Sequence, residues 1–81
     1  MKELLYFGAE WCAACKALWP TVEKEAPAKG YDVKYFDLDS DEGVDASEEY
    51  RIKSLPTIVI KENGVVTKRA TGSTAWAEVQ E

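Results

Sequence analysis

Eighty-one residues leave room for one hydrophobic core, so a single domain over residues 1–81 is expected. Ten Lys and Arg against fifteen Asp and Glu give a formal charge of −5 with no basic cluster. That balance argues against nucleic acid and against anionic membrane surfaces. No basic start leads into an apolar run, and no apolar stretch nears spanning length, so a cytoplasmic chain is expected, and a monomer.

Lys2 to Phe7 reads as a first, buried strand, and Gly8-Ala9-Glu10-Trp11 as the loop that leaves it. Leu18, Trp19, Val22 and Ala26 then follow the spacing of one helix face, which predicts a helix from about Ala13 to Ala28. Pro20 inside it removes a backbone donor and should bend it, and Gly30 stops it. Asp32 to Leu38 alternates as a second strand. The acidic stretch Asp37–Glu49 should turn helical in its latter part, through about Arg51. Leu55-Pro56 opens a β-branched third strand, Thr57–Lys61. Asn63-Gly64 signals a hairpin into a fourth strand, Val65–Ala70. Gly72-Ser73 breaks that strand, and Ser73 or Thr74 should cap a last helix to Glu81. The order βαβαββα predicts an α/β fold, a four-stranded mixed sheet flanked by helices on both faces, with the first two strands parallel.

The chemistry lies in Trp11-Cys12-Ala13-Ala14-Cys15, which holds the only two cysteines. The first sulfur falls at the open end of a helix, where unpaired N–H groups favour negative charge. The second lies one turn further in, close enough to form a disulfide. Such a pair is a reversible two-electron switch. A metal site is disfavoured, because no histidine and no third cysteine can complete a tetrahedral sphere. Asp37, Asp39, Asp41, Asp45 and Glu48 mimic a calcium loop, but Glu42 stands where that loop needs glycine and Gly43 comes one place late. Those acids read more simply as caps for the second helix.

Trp11-Cys12-Ala13-Ala14-Cys15-Lys16, Pro20, Leu55-Pro56-Thr57, Asn63-Gly64 and Gly72 together make the chain resemble the thioredoxin-fold family. The absence of an initial strand and helix makes it similar in size to glutaredoxins and other minimal redoxins. Ala13-Ala14 replaces the Gly-Pro of thioredoxins and the Pro-Tyr of glutaredoxins, and Thr71-Gly72-Ser73-Thr74 replaces the glutathione-gripping segment of glutaredoxins. Without a histidine between the cysteines the pair should be a reductant or moderate exchanger. Tyr6 stands where thioredoxins bury an aspartate near the second cysteine. It reads as core filling, or as a hydroxyl that holds a water beside Cys15.

The resemblance implies a thiol–disulfide oxidoreductase that needs no cofactor beyond its own Cys12–Cys15 disulfide. Cys12 would be the exposed nucleophile and Cys15 the resolving thiol. Trp11 would form a shelf beside them, and Pro56, expected cis, would turn the Leu55 backbone toward an extended substrate. Thr57 and Gly72 complete the expected substrate surface, and Glu10 and Lys16 flank it as solvated charges. Expected partners are protein disulfides and a recharging agent, either a reductase of the thioredoxin-reductase type or glutathione. A dedicated electron donor to ribonucleotide reductase, or a binding module without turnover, are the alternatives.

Overall fold

Strand β1 (Lys2–Gly8) is buried on both faces from Leu4 to Gly8, as its unbroken apolar run demands of a central strand. The computed structural model describes residues 1–80. After β1 come α1 (Ala13–Ala28), β2 (Tyr31–Asp37), α2 (Asp41–Glu49), β3 (Thr57–Glu62), β4 (Val65–Thr71) and α3 (Ala75–Val79). The sheet order is β2-β1-β3-β4. β1 runs parallel to β2, with Tyr6 opposite Tyr35 and Gly8 opposite Asp37. It runs antiparallel to β3, with Phe7 opposite Thr57. The Asn63-Gly64 turn has φ of 55° and 84° at its two residues, the left-handed pair that a two-residue hairpin requires.

Alternation along the strands divides the core. Leu4, Tyr6, Ile58 and Ile60 pack with Val22 and Ala26 of α1 and with Ala75, Trp76 and Val79 of α3. Leu5, Phe7, Phe36 and Val59 point the other way, onto Ala46 of α2. Each of the Leu, Ile, Val and Phe side chains among them, taken fully out of water, contributes about 1.5–3 kcal/mol. Trp76 Nε1 also donates to Glu25 Oε1 at 2.8 Å, which joins α3 to α1.

Several boundaries differ from the sequence reading. β1 gains Gly8, while β2 starts at Tyr31 and ends at Asp37. α1 has the expected bounds, running without interruption through Pro20 and Pro27 to Ala28, with Lys29 as its C-cap and Gly30 beyond it at φ +90°. Thr74 does take the N-cap position of α3, but its side chain makes no capping bond. Its hydroxyl donates instead to Glu78 Oε2 at 2.6 Å. α3 ends at Val79, short of the expected end at Glu81, a residue outside those described.

The acidic stretch works as a turn and a cap. Asp37 Oδ1 accepts from the Asp39 N–H at 2.9 Å, and the Asp37 carbonyl accepts from the Ser40 hydroxyl at 2.7 Å. Ser40 then caps α2 by accepting from the Gly43 N–H at 3.0 Å. At the other end, Arg69 of β4 donates to the Tyr50 carbonyl at 2.7 Å, where α2 leaves orphan acceptors.

Gly43 is where α2 meets the end of β2, because a Cβ there would overlap the Asp37 carbonyl. Gly43→Ala gains about 1 kcal/mol of helix propensity. Backbone overlap outweighs that gain, since overpacking costs about 1–3 kcal/mol or more. The expected result is a net loss of stability, read as a lower urea midpoint for Gly43→Ala than for wild type.

Candidate active site

The end of β1 places the two sulfurs. Ala9 is buried behind Gly8, whereas Glu10 and Trp11 are exposed. The chain then turns on the bond from the Cys12 N–H to the Ala9 carbonyl, 3.1 Å. Cys12 is the N-cap of α1, extended at φ −97° and ψ 102°. Its sulfur accepts from the Cys15 N–H at 3.2 Å, so one orphan donor of the helix start points at Sγ. Cys12 and Cys15 are joined as a disulfide with their Cα atoms 5.2 Å apart. Cys12 is partly exposed and Cys15 is 1% exposed. One sulfur is therefore open to a partner and the other is shielded.

The other residues expected at the site are brought in by the register. Because Phe7 pairs with Thr57, the segment before β3 leaves the sheet at the end where β1 releases the Cys12 loop. The Leu55–Pro56 peptide bond is cis, Pro56 is buried, and its carbonyl accepts from the Gly72 N–H at 2.8 Å. Trp11 and Leu55 share a groove of about 290 Å³ with Leu38, Ile52, Lys53 and Ser54. Trp11 is 69% exposed, yet its Nε1 donates to Asp39 Oδ1 at 3.1 Å, which sets the indole as one wall of that groove. Thr57 does not open to it, being fully buried with its hydroxyl donating to the Ser54 carbonyl at 2.6 Å. Gly72 meets the site through Pro56. Among the described residues, no group of three or more Cys, Asp or Glu is placed to hold a metal ion. A second depression of about 320 Å³ between α2 and the sheet includes neither cysteine in its lining.

An aromatic cluster backs the shielded sulfur. Tyr6 is fully buried, as a core residue would be, but its hydroxyl bonds directly to the Cys15 carbonyl, donating at 2.8 Å. Its ring lies 4.9 Å from that of Trp19 and 5.5 Å from that of Tyr35, and the last two are 4.8 Å apart. Gly8 allows this approach. A Cβ there would stand 2.9 Å from the Tyr35 oxygen, 3.2 Å from Tyr6 Cε1 and 3.3 Å from Cys15 Cβ. The sequence reading does not single out Gly8, Trp19, Tyr35 or Asp39 as site residues. Pairing the two predicted parallel strands in register would have found Tyr35 opposite Tyr6.

Burial pushes the Tyr6 hydroxyl well above the usual tyrosine pKa, and neighbouring Tyr35 adds to this. Tyr35 is raised as well, by burial first and then by Asp37, Glu10 and Asp39. A raised folded-state value means the neutral form is favoured in the fold. Stability from Tyr6 is thus complete below about pH 10 and is lost above it, where the unfolded chain ionises first. Urea midpoints of the oxidised protein should fall between about pH 10 and about pH 11.5. In Tyr6→Phe the unfolding free energy from the same curves should fall less steeply, by up to about 1.4 kcal/mol per pH unit. Equal slopes in the two proteins would show that the hydroxyl is not shielded from water.

The chain matches the thioredoxin family model, described simply as Thioredoxin, over residues 1–81. It is 42% identical to a thioredoxin of Mycoplasma genitalium over 66 residues, covering 82% of this chain and 64% of that protein. It is 37% identical to a thioredoxin of Mycoplasma pneumoniae over 78 residues, covering 96% of this chain and 76% of that one. The chain thus spans about two thirds to three quarters of the length of these curated relatives. Among solved structures it is similar to a mutant thioredoxin from Halobacterium salinarum, at a TM-score of 0.84 and 26% identity, over 98% of this chain and 68% of that one. It is likewise similar to oxidised mitochondrial thioredoxin 3 of Saccharomyces cerevisiae, at a TM-score of 0.83 and 26% identity, over 98% and 74% of the two chains. With an N-capping Cys12 disulfide-bonded to a buried Cys15 on this sheet, the chain belongs to the thioredoxin family.

Proposed function

We propose that this chain, as one domain over residues 1–81, is a thiol–disulfide oxidoreductase that reduces disulfides in protein substrates. The observation that carries the reading is the asymmetry of the pair, a partly exposed Cys12 at a helix N-cap bonded to a buried Cys15. The reduced Cys12 thiolate attacks a substrate disulfide, joins one sulfur as a mixed disulfide and expels the other as a thiolate. Cys15 then gives up its proton and attacks Cys12 Sγ, which forms the Cys12–Cys15 bond and releases the second substrate thiol. Two electrons pass to the substrate, and the chain is left oxidised.

The groove between Trp11 and Leu55 takes the residues flanking the substrate cysteine, and the Leu55 backbone pairs with them as an extended strand. Pro56 and Gly72 hold that backbone through their mutual bond, and the buried Thr57 anchors it to β3. No cofactor is required beyond the disulfide. Electrons return from a reductase of the thioredoxin-reductase type, or from glutathione. The protein acts as a monomer in the cytoplasm. Among the described residues no helix is long and apolar enough to cross a membrane.

Insulin reduction driven by dithiothreitol tests the activity directly. Wild type should precipitate the freed insulin chain, and Cys12→Ser should abolish turnover. Cys15→Ser should instead accumulate mixed disulfides, visible as adducts on a non-reducing gel. Iodoacetamide should label Cys12 before Cys15 in the reduced protein. Faster labelling of Cys15 would reverse the assigned roles, and no insulin reduction by wild type would leave a binding module.

A further inference from the structure

The reaction above makes no use of the Tyr6 hydroxyl, although it is fully buried and donates at 2.8 Å to the carbonyl of Cys15. The same ring lies 4.9 Å from Trp19, which stands one helical turn beyond Cys15 on α1. One side chain of the central strand therefore grips α1 at two successive turns. The first of those turns carries the shielded sulfur.

Cys12 is held by other means. Its N–H donates to the Ala9 carbonyl and its own carbonyl accepts from the Lys16 N–H, both at 3.1 Å. Neither bond involves Tyr6. Pro20 has no N–H to give to the Lys16 carbonyl four residues back, so the helix is short of an internal bond beside the carbonyl that Tyr6 takes.

Resting on the dithiol reading of the site, we propose that Tyr6 is the positioning residue for the second thiol. Its hydroxyl holds the Cys15 turn against β1 whenever the disulfide is open. In the oxidised protein the covalent bond keeps the two sulfurs together. In the mixed disulfide that bond is open, and within the freedom of the three-residue tether the helix start and the contacts of α1 with β1 set how near Cys15 lies to Cys12 Sγ. Resolution is an intramolecular step: the Cys15 thiolate forms the Cys12–Cys15 bond, the bond from Cys12 to the substrate breaks, and the substrate thiolate leaves with the electron pair. The Cys15 proton goes to solvent. Rate and equilibrium of that step scale with the effective concentration of one sulfur at the other, which the Tyr6 bond raises. The first attack, by Cys12, is bimolecular and rests on backbone ties that Tyr6 does not make.

The test uses the aromatic disulfide dithiobis(nitrobenzoate) with reduced wild type, Tyr6→Phe, Tyr35→Phe and Cys15→Ser. Attack by Cys12 frees a first thionitrobenzoate and resolution by Cys15 frees a second, so the two steps appear as two phases. Tyr6→Phe keeps the ring and removes only the hydroxyl. Its first phase should stay within about twofold of wild type, and its second should slow by about two- to tenfold, the range one hydrogen bond supports. Its equilibrium with a glutathione redox buffer should move toward the dithiol by the same factor. At tenfold that is a potential about 30 mV more oxidising.

Tyr35→Phe, which removes the neighbouring hydroxyl, should resolve at the wild-type rate. Unchanged second phase and potential in Tyr6→Phe, equal slowing of both its phases, or equal slowing in Tyr35→Phe would each overturn the proposal. If Tyr6→Phe unfolds in part, the potential measured at a temperature where its circular dichroism matches wild type decides the matter. Cys15→Ser must show the first phase alone. A second release from that variant would refute the dithiol reading itself, whatever Tyr6 does.

Discussion

Pairing of β1 on both of its edges is the constraint from which the site follows. A strand hydrogen-bonded to β2 on one side and β3 on the other cannot slide by one residue without sending Leu4 and Tyr6 into the space of Leu5 and Phe7, and the reverse, which neither core is shaped to take. Its end is therefore a fixed point, and the Cys12 loop starts from it. The parallel register sets Asp37 opposite Gly8, and the Leu38 N–H donates to the Gly8 carbonyl at 2.9 Å. Asp39 then comes within reach of the Trp11 indole. The antiparallel register sets Thr57 opposite Phe7 and brings Leu55-Pro56 to the same end. Residues scattered from 11 to 57 are thus gathered at the end of one strand.

The two sulfurs sit in different surroundings for the same reason. Cys12 stands at the mouth of α1, where a backbone N–H points at it and the chain on one side is open to solvent. Cys15 faces the sheet, where Tyr6, Tyr35 and Trp19 close around the Gly8 gap. Phenols are neutral at neutral pH wherever they stand, so that wall carries no charge there, and both hydroxyls are shifted further toward the neutral form. A tyrosine is a poor proton acceptor there. What Tyr6 supplies in place of charge is a hydrogen bond to the backbone of the turn.

Much of this was legible in the residues. The apolar run in β1, the β-branched run in β3, the Asn63-Gly64 turn and the helix-face spacing after Cys15 are local signals, and local signals set the elements and their order. The C-x-x-C at a strand-to-helix junction gave the chemistry for the same reason. Long-range contacts were not legible. The Tyr6 hydroxyl bonds the Cys15 carbonyl rather than a water, because α1 lies close enough to the sheet for direct contact. Arg69 supports the end of α2 from a strand eighteen or more residues away, and nothing in the local pattern around either residue signals it. Gly43 looked like a misplaced calcium-loop glycine and is instead the point where a helix crosses a carbonyl. Thr74 had the chemistry of a cap, but the carboxylate of Glu78 one turn on competes for its hydroxyl.

The site works as described only if Cys12 and Cys15 act as one two-electron couple. Equilibrating the protein across a series of reduced and oxidised glutathione ratios, quenching with acid and weighing the products tests it most directly. One transition between the dithiol and the intramolecular disulfide is expected, with a tenfold change in the constant for each step of about 29.6 mV and no glutathione adduct accumulating. A singly glutathionylated Cys12 that persists through the transition, with no intramolecular disulfide formed, would contradict it.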